Sequence, residues 1–159
     1  MVVKGIVDEG FVNYKTPSME IITSYCSFKC DKECGVQVCQ NGALATAPSK
    51  DISAHSIIKK YLNNPITKAI CFVGLEPLDQ FDEVIHFIYT LRSLYHCNDT
   101  VVIYTGYNKD EIEDKINYLK WFKNIIVKFG RFIPNDKKRF DDILGVNLAS
   151  QNQYAEVIS

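Results

Sequence analysis

Short apolar runs alternate with amphipathic stretches along the chain. Four runs are rich in β-branched residues and nearly continuous, which is typical of strands covered on both faces. These runs are Glu20–Thr23, Lys68–Val73, Thr100–Tyr104 and Asn124–Phe129. Apolar residues also recur at helical spacing, which predicts helices near Ser53–Leu62, across Asp79–Tyr95 and across Asp110–Trp121. Strands that alternate with helices indicate βαβ units, so we expect an α/β fold with a mainly parallel sheet.

Distinctive residues follow each of the four predicted strands. They are the cysteine-rich stretch Tyr25–Gly42, then Gly74–Pro77, Thr105–Tyr107 and Gly130–Phe132. In parallel sheets, chemistry is placed at the carboxyl ends of the strands. We therefore expect these four loops to meet at one rim of the sheet.

Composition and charge narrow the class of protein. The chain has 159 residues, 47% hydrophobic and 23% charged, which is ordinary for one globular domain spanning residues 1–159. A net charge of −1 gives no reason to expect a nucleic acid or an anionic membrane as partner. No apolar run approaches membrane-spanning length, and residues 1–10 lack a signal-peptide pattern. We therefore expect a cytoplasmic protein with reduced thiols.

Four of the six cysteines crowd into one loop, at positions 26, 30, 34 and 39. Clustered cysteines in a reducing compartment favour metal binding or catalysis over disulfides. A structural zinc site would use all four thiolates, but zinc ribbons and knuckles usually pair their cysteines at closer intervals. An iron–sulfur cluster held by only three of them would leave one iron open for chemistry.

Several short motifs, in order along the chain, resemble those of radical S-adenosylmethionine (radical SAM) enzymes. The likeness is to the activating protein of anaerobic (class III) ribonucleotide reductase, and it covers most of the length. The cysteine motif is Cys26 and Cys30 followed by the triplet Cys39–Asn41. The others are Phe11–Tyr14, Gly74–Leu78, Tyr104–Tyr107, Gly130–Ile133 and Ser150–Gln153. Leu75 stands where that family has a second glycine.

The resemblance implies a 4Fe–4S cluster held by three cysteines. In that family the second and third cysteines lie two residues apart, which this chain does not reproduce. Cys26, Cys30 and Cys34 would give a loop with one residue too many. Cys26, Cys30 and Cys39 would instead accept an insertion, Asp31–Val38, and would retain the Cys-x-Asn element. We favour Cys39 as the third ligand, with Cys34 as the alternative.

The resemblance also implies SAM as cofactor. Its binding residues would be Glu76, which would accept hydrogen bonds from the methionyl ammonium, together with Gly74, Thr105, Gly106 and Asn13. The alternatives are a glutamate in an exposed loop that caps the next helix, and a plain strand-to-helix turn at Thr105–Tyr107. No catalytic side chain is expected beyond the cluster and the cofactor.

The implied function is that of an oxidoreductase. It would cleave SAM reductively at the cluster and generate a glycyl radical on the large subunit of anaerobic ribonucleoside-triphosphate reductase. An external one-electron donor such as flavodoxin or ferredoxin would supply the electron, and the implied fold is a partial (β/α) barrel. The alternatives are activation or modification of another glycyl-radical enzyme or peptide, and a non-catalytic zinc-binding adaptor.

Overall fold

A seven-stranded mixed sheet forms the centre of the protein. The computed structural model describes residues 1–159. Its strands are β1 (Val2–Gly10), β2 (Ser18–Thr23), β3 (Lys50–Asp51), β4 (Ala69–Gly74), β5 (Thr100–Tyr104), β6 (Ile125–Phe129), β7 (Arg139–Asp141), β8 (Val146–Leu148) and β9 (Tyr154–Val157). The order in the large sheet is β3-β1-β2-β4-β5-β6-β9, while β7 and β8 form a separate antiparallel hairpin.

The four predicted strands are the four central ones. β2, β4, β5 and β6 run parallel, so their carboxyl ends lie at the same edge. The outer strands are antiparallel, with β1 next to β2, β3 next to β1, and β9 next to β6. The α/β class is therefore confirmed and the centre of the sheet is parallel as predicted. The sheet as a whole is mixed, because three strands that the sequence did not predict flank the parallel ones and pair antiparallel. These strands are β1, β3 and β9.

The three predicted helices are present, and two short ones were missed. The helices are α1 (Lys29–Cys34), α2 (Gly42–Thr46), α3 (Ala54–Leu62), α4 (Phe81–Ser93) and α5 (Glu113–Leu119). Short 3-10 segments, Pro77–Gln80 and Lys109–Ile112, lead into α4 and α5. The missed helices α1 and α2 contain no buried residue, so they left no apolar periodicity to detect. None of the helices combines the length and the hydropathy that crossing a membrane requires.

Both faces of the sheet are covered, but by different material. The larger core has 22 buried residues and packs the sheet against α3, α4 and α5, for example through the edge-to-face rings of Phe72 and Phe87. The smaller core has 8 buried residues and packs the other face against Tyr14, Leu144 and Leu148. Cys71 lies fully buried in this second core, as expected for a small packing residue.

Candidate metal centre and cofactor cavity

A cavity of about 450 Å³ lies at the carboxyl ends of the parallel strands. All four loops that follow the central strands contribute to its wall. The contributing residues are Cys26, Cys30, Cys39, Gly74–Glu76, Thr105–Tyr107 and Gly130–Phe132. The structure thus brings together the segments that the sequence singled out. The volume of the cavity is within the range of cavities that bind small molecules.

Three of the four clustered cysteines face this cavity. Cys26, Cys30 and Cys39 line it and are partly buried, whereas Cys34 is exposed on α1 and lies outside the wall. Burial, with a smaller effect from the charge of Cys39, raises the pKa of Cys26 to about 12 and also raises the pKa of Cys30. Cys39 is therefore close enough to both Cys26 and Cys30 to affect them electrostatically.

A backbone N–H group points at one of these sulfurs: the Phe28 N–H donates to Cys26 Sγ at 3.2 Å. The backbone of Phe132 lies close enough to Cys30 to oppose the rise in the pKa of that thiol. Phe28 adopts a left-handed conformation with φ of 52°, which is uncommon for an aromatic residue. The Ser27 N–H donates to Asp79 Oδ2 at 2.6 Å, which fixes the chain directly after Cys26. N–H donors of this kind favour the charged, metal-bound form of a thiol.

The donor set fits an iron–sulfur cluster better than a single ion. No group of three histidine, cysteine or acidic side chains lies within reach of one common metal ion. A structural zinc ion needs its thiolates around one point, and the outward position of Cys34 works against a four-thiolate site. In a 4Fe–4S cluster each cysteine binds a different iron, so the sulfurs are spread over the faces of a larger body. Cys26, Cys30 and Cys39, which line the same cavity, supply three thiols for such a body.

Glu76 lies at the floor of the cavity and is only 5% exposed. Its carboxylate accepts hydrogen bonds from Gly106 N and Thr105 Oγ1, both at 2.8 Å, and from Leu78 N at 3.1 Å. Burial raises the pKa of Glu76 to about 7, although these hydrogen bonds oppose the shift. Glu76 does cap the following 3-10 segment, but it is not in an exposed loop.

Two glycines let the backbone approach the floor closely. Gly74 has φ of +101°, and a Cβ there would lie 2.5 Å from Ile22 Cγ2, so a side chain would not fit. A Cβ on Gly106 would lie 3.5 Å from Glu76 Oε2 and 3.8 Å from Cys30 Sγ. The turn after β5 is therefore the place where the carboxylate and the cysteine loop come together. Thr105 and Gly106 direct their donor groups at Glu76.

Sequence reasoning missed two charged side chains of the cavity. Lys128 projects from β6, is 6% exposed and donates from Nζ to Gly130 O at 2.9 Å. Burial lowers the pKa of Lys128 to about 8, with the charge of Glu76 opposing the shift. Glu20 on β2 accepts from Asn13 Nδ2 at 2.8 Å, and both residues line the cavity. The signal that could have identified Lys128 was its position: a lysine is unusual within a strand that is predicted to be covered on both faces.

An ion-pair network joins the cysteine loop to the end of β6. The Arg131 side chain, 8% exposed, donates two hydrogen bonds to Glu111 at 2.7 and 2.6 Å. Arg131 Nε also lies 3.0 Å from Glu33 Oε1 on α1, as an ion pair without hydrogen-bond geometry. Lys29 Nζ pairs with Glu111 at 3.1 Å. Arg131 holds the pKa of Glu111 down at about 2 through these hydrogen bonds.

Comparison with known proteins agrees with the chemistry of the cavity. A family model described as "4Fe-4S single cluster domain" matches residues 18–153. The matched residues include every cavity-lining group named above except Asn13. Comparison with curated proteins gave no significant match, and neither did comparison with solved structures.

Proposed function

Since the chain belongs to the 4Fe-4S single cluster domain family, we propose that it is a radical SAM activating enzyme that holds its cluster on Cys26, Cys30 and Cys39. The observation that carries this proposal is the shared cavity. Three thiols line one wall of it, a buried carboxylate lies at the floor, and the fourth thiol, Cys34, lies outside. Three ligands would leave one iron of the cluster open to a cofactor.

SAM is the proposed cofactor, and the chain's charged groups are suited to its amino-acid part. When bound, the cluster and SAM supply the electron transfer and the reductive cleavage, and the protein supplies binding and orientation. The Glu76 carboxylate would accept from the methionyl ammonium, and the Lys128 ammonium would pair with the methionyl carboxylate. Thr105 and Gly106 hold the Glu76 carboxylate in place, which preorganises it for this contact.

The proposed target is a glycyl loop of the large subunit of anaerobic ribonucleoside-triphosphate reductase. This part rests on the motif resemblance, and two features are compatible with it. The sheet ends in separate edge strands, β3 and β9, so it does not close on itself, as would be the case in an incomplete barrel. Val12, 72% exposed, lines the cavity, and its neighbour Phe11 is 64% exposed. Exposed apolar groups at a cavity mouth suit a protein partner better than a small polar metabolite. Flavodoxin or ferredoxin would supply the electron.

Anaerobic reconstitution with iron and sulfide tests the cluster. We expect a brown protein that bleaches with dithionite and then converts SAM to methionine and 5′-deoxyadenosine. Alanine at Cys26, Cys30 or Cys39 should remove most of the bound iron, and Cys34→Ala is the matched control that should retain it. A colourless protein with one bound zinc, or equal iron loss in Cys34→Ala and Cys39→Ala, would contradict the proposal.

The target needs its own experiment. Reduced protein, SAM and a candidate large reductase subunit are mixed and examined by electron paramagnetic resonance. We expect a glycine-centred doublet on the large subunit. SAM cleavage without that doublet would instead favour another glycyl-radical enzyme or a modified peptide as the target.

A further inference from the structure

An eight-residue segment, Asp31–Val38, separates the second cavity cysteine from the third. Residues 32–37 are all exposed, and the chain turns at Gly35, whose φ is 68°. Cys39 itself lies outside any helix or strand. A segment of this kind has little packing to fix its path, and closing it costs conformational entropy. Something else must return the chain to the cavity at Cys39.

Both ends of this segment meet at one carboxylate. Asp31 Oδ1 accepts hydrogen bonds from the Val38 N–H and the Cys39 N–H, each at 2.8 Å. Hydrogen bonds to an ionised acceptor are stronger than those between neutral groups. On the far side of Cys39, Asn41 Nδ2 donates to Gly74 O at 2.7 Å. Cys39 is therefore held between two side-chain contacts, and the one before it comes from the residue next to Cys30.

From this geometry we infer that Asp31 is a positioning residue that makes Cys39, and not Cys34, the third thiol of the cavity. Asp31 closes the segment into a loop, so Cys39 arrives beside Cys30 although eight residues intervene. Cys34 lies at the end of α1 within the closed loop, is exposed and does not line the cavity. The role of Cys39 as a cluster ligand rests on the proposed function, whereas its placement by Asp31 does not require a bound cluster.

The first test uses the metal-free protein and reads the loop directly. In Asp31→Ala, hydrogen exchange of the Val38 and Cys39 amides should accelerate by at least about tenfold, because each loses a charge-assisted hydrogen bond. Alkylation of Cys39, measured by peptide mapping, should accelerate relative to Cys26. Asp31→Asn keeps one carbonyl oxygen in place and should stay nearer the parent. Unchanged exchange and alkylation in Asp31→Ala would overturn the inference.

A matched control is available in another exposed loop. Asp136 Oδ2 accepts from the Gln151 N–H at 2.8 Å, so Asp136→Ala removes the same kind of bond outside the cysteine loop. It should leave Cys39 exchange and alkylation at parental rates. Thermal unfolding of all variants checks that they fold. If Asp31→Ala does not fold, Asp31→Leu provides the same readout because leucine also lacks an acceptor, and parental rates in it would equally contradict the inference.

The second test reads ligand choice in the reconstituted protein. In the parent, Cys39→Ala should cost most of the iron and Cys34→Ala little. In the Asp31→Ala background, we expect the cluster content to fall to less than half, or the dependence to move from Cys39 to Cys34. Parental cluster content with unchanged dependence on Cys39 would overturn the inference. If the parent takes up no cluster, the proposed function fails, and the exchange and alkylation rates still decide the role of Asp31.

Discussion

The floor of the cavity and its cysteine wall are held in different ways. On the floor, Glu76 and Lys128 are almost fully buried at the ends of central strands. Glu76 accepts from Thr105 and Gly106, which follow the neighbouring strand β5, and Lys128 donates to Gly130 O, which follows its own strand. On the wall, the cysteines lie in a partly exposed loop held by side-chain contacts from Asp31, Asn41 and Arg131. The floor is fixed by the fold itself. The wall depends on a few contacts and, in the proposed function, on the metal that it binds.

Removing the cluster should separate the two regions most strongly. A ligand that binds only the folded structure lowers the equilibrium constant for opening that structure. At a free ligand concentration of a thousand times the dissociation constant, the opening constant falls by about a thousandfold. We expect chelation of iron to accelerate amide exchange across residues 26–42 by about that factor. Exchange in β4 and β6 should change little. Hydrogen-exchange mass spectrometry of the reconstituted and the metal-free protein measures exchange in the cysteine loop and in the strands. Equal acceleration in the strands would show that the floor also depends on the bound metal.

Lys128→Met should stabilise the metal-free protein at neutral pH. Burial lowers the pKa of Lys128 from 10.5 to about 8, so the folded state binds its proton less well than the unfolded state. The charge therefore costs stability below pH 8, by up to about 3 kcal/mol, and the cost disappears as the pH rises from 8 to 10.5. Urea unfolding of parent and variant should show a difference at pH 7 that narrows over this range. A variant less stable than the parent at pH 7 would show that Lys128 is satisfied in its buried position.

Glu76→Gln should weaken SAM binding while leaving the cysteine wall intact. The amide keeps the shape of the side chain but loses the charge, which is worth roughly 2 kcal/mol to a charged partner, or about thirtyfold in affinity. Iron content should stay at the parental level. Equilibrium binding of SAM to the reconstituted variant measures the first effect and iron analysis the second. Loss of iron together with SAM would mean that floor and wall are not independent.

Glu111→Gln should give a smaller effect than the three changes above, because this carboxylate lies at the edge of the cysteine wall. Arg131 lowers the pKa of Glu111 from 4.5 to about 2, so the ionised side chain stabilises the folded state above its unfolded pKa. The side chain is 26% exposed, so solvent screening reduces the gain to about 1 kcal/mol at pH 7. The difference between parent and variant should shrink as the pH falls from about 4.5 towards 2. Urea unfolding at pH 7 and pH 3 measures it.

A matched variant sharpens this last comparison. The Lys109–Glu156 pair is more exposed than the Glu111–Arg131 pair. Glu156→Gln should therefore cost less stability than Glu111→Gln. The reverse order would show that Arg131 does not hold the cysteine loop to the end of β6.

The central strands and the main helices could be predicted from the sequence, because buried positions in them are apolar and recur at the spacing of a strand or a helix. Thr100–Tyr104 is predicted and observed with the same bounds, and Ala54–Leu62 differs from its prediction by one residue. The outer antiparallel strands carried no such pattern. β1 lies between β3 and β2 and has charged residues such as Lys4, which is half-buried, and Asp8, which is exposed. β9 has only four residues. Antiparallel strands can keep solvent on one side, so their sequences need not be apolar throughout.

The motif order also pointed to the loops that surround the cavity, and the family match agrees with an iron–sulfur domain. The roles of Asn13, Gly74, Thr105 and Gly106 towards SAM stay predictions, although all four line the cavity. The second charged residue of the floor, Lys128, was missed. A strand pattern does not show which of its buried side chains border a cavity.

The sequence by itself determined the order of the four central strands and the three main helices, and therefore the edge at which the chemistry-bearing loops meet. Periodicity and chain connectivity are local properties, and both are written in consecutive residues. Only the tertiary structure decided which cysteines face the cavity. Spacing left Cys34 and Cys39 as alternatives, and the choice depends on a hydrogen bond between residues eight positions apart, Asp31 and Cys39. The three-dimensional path of the loop determines which of its side chains come together. The spacing of the cysteines along the sequence does not predict that path.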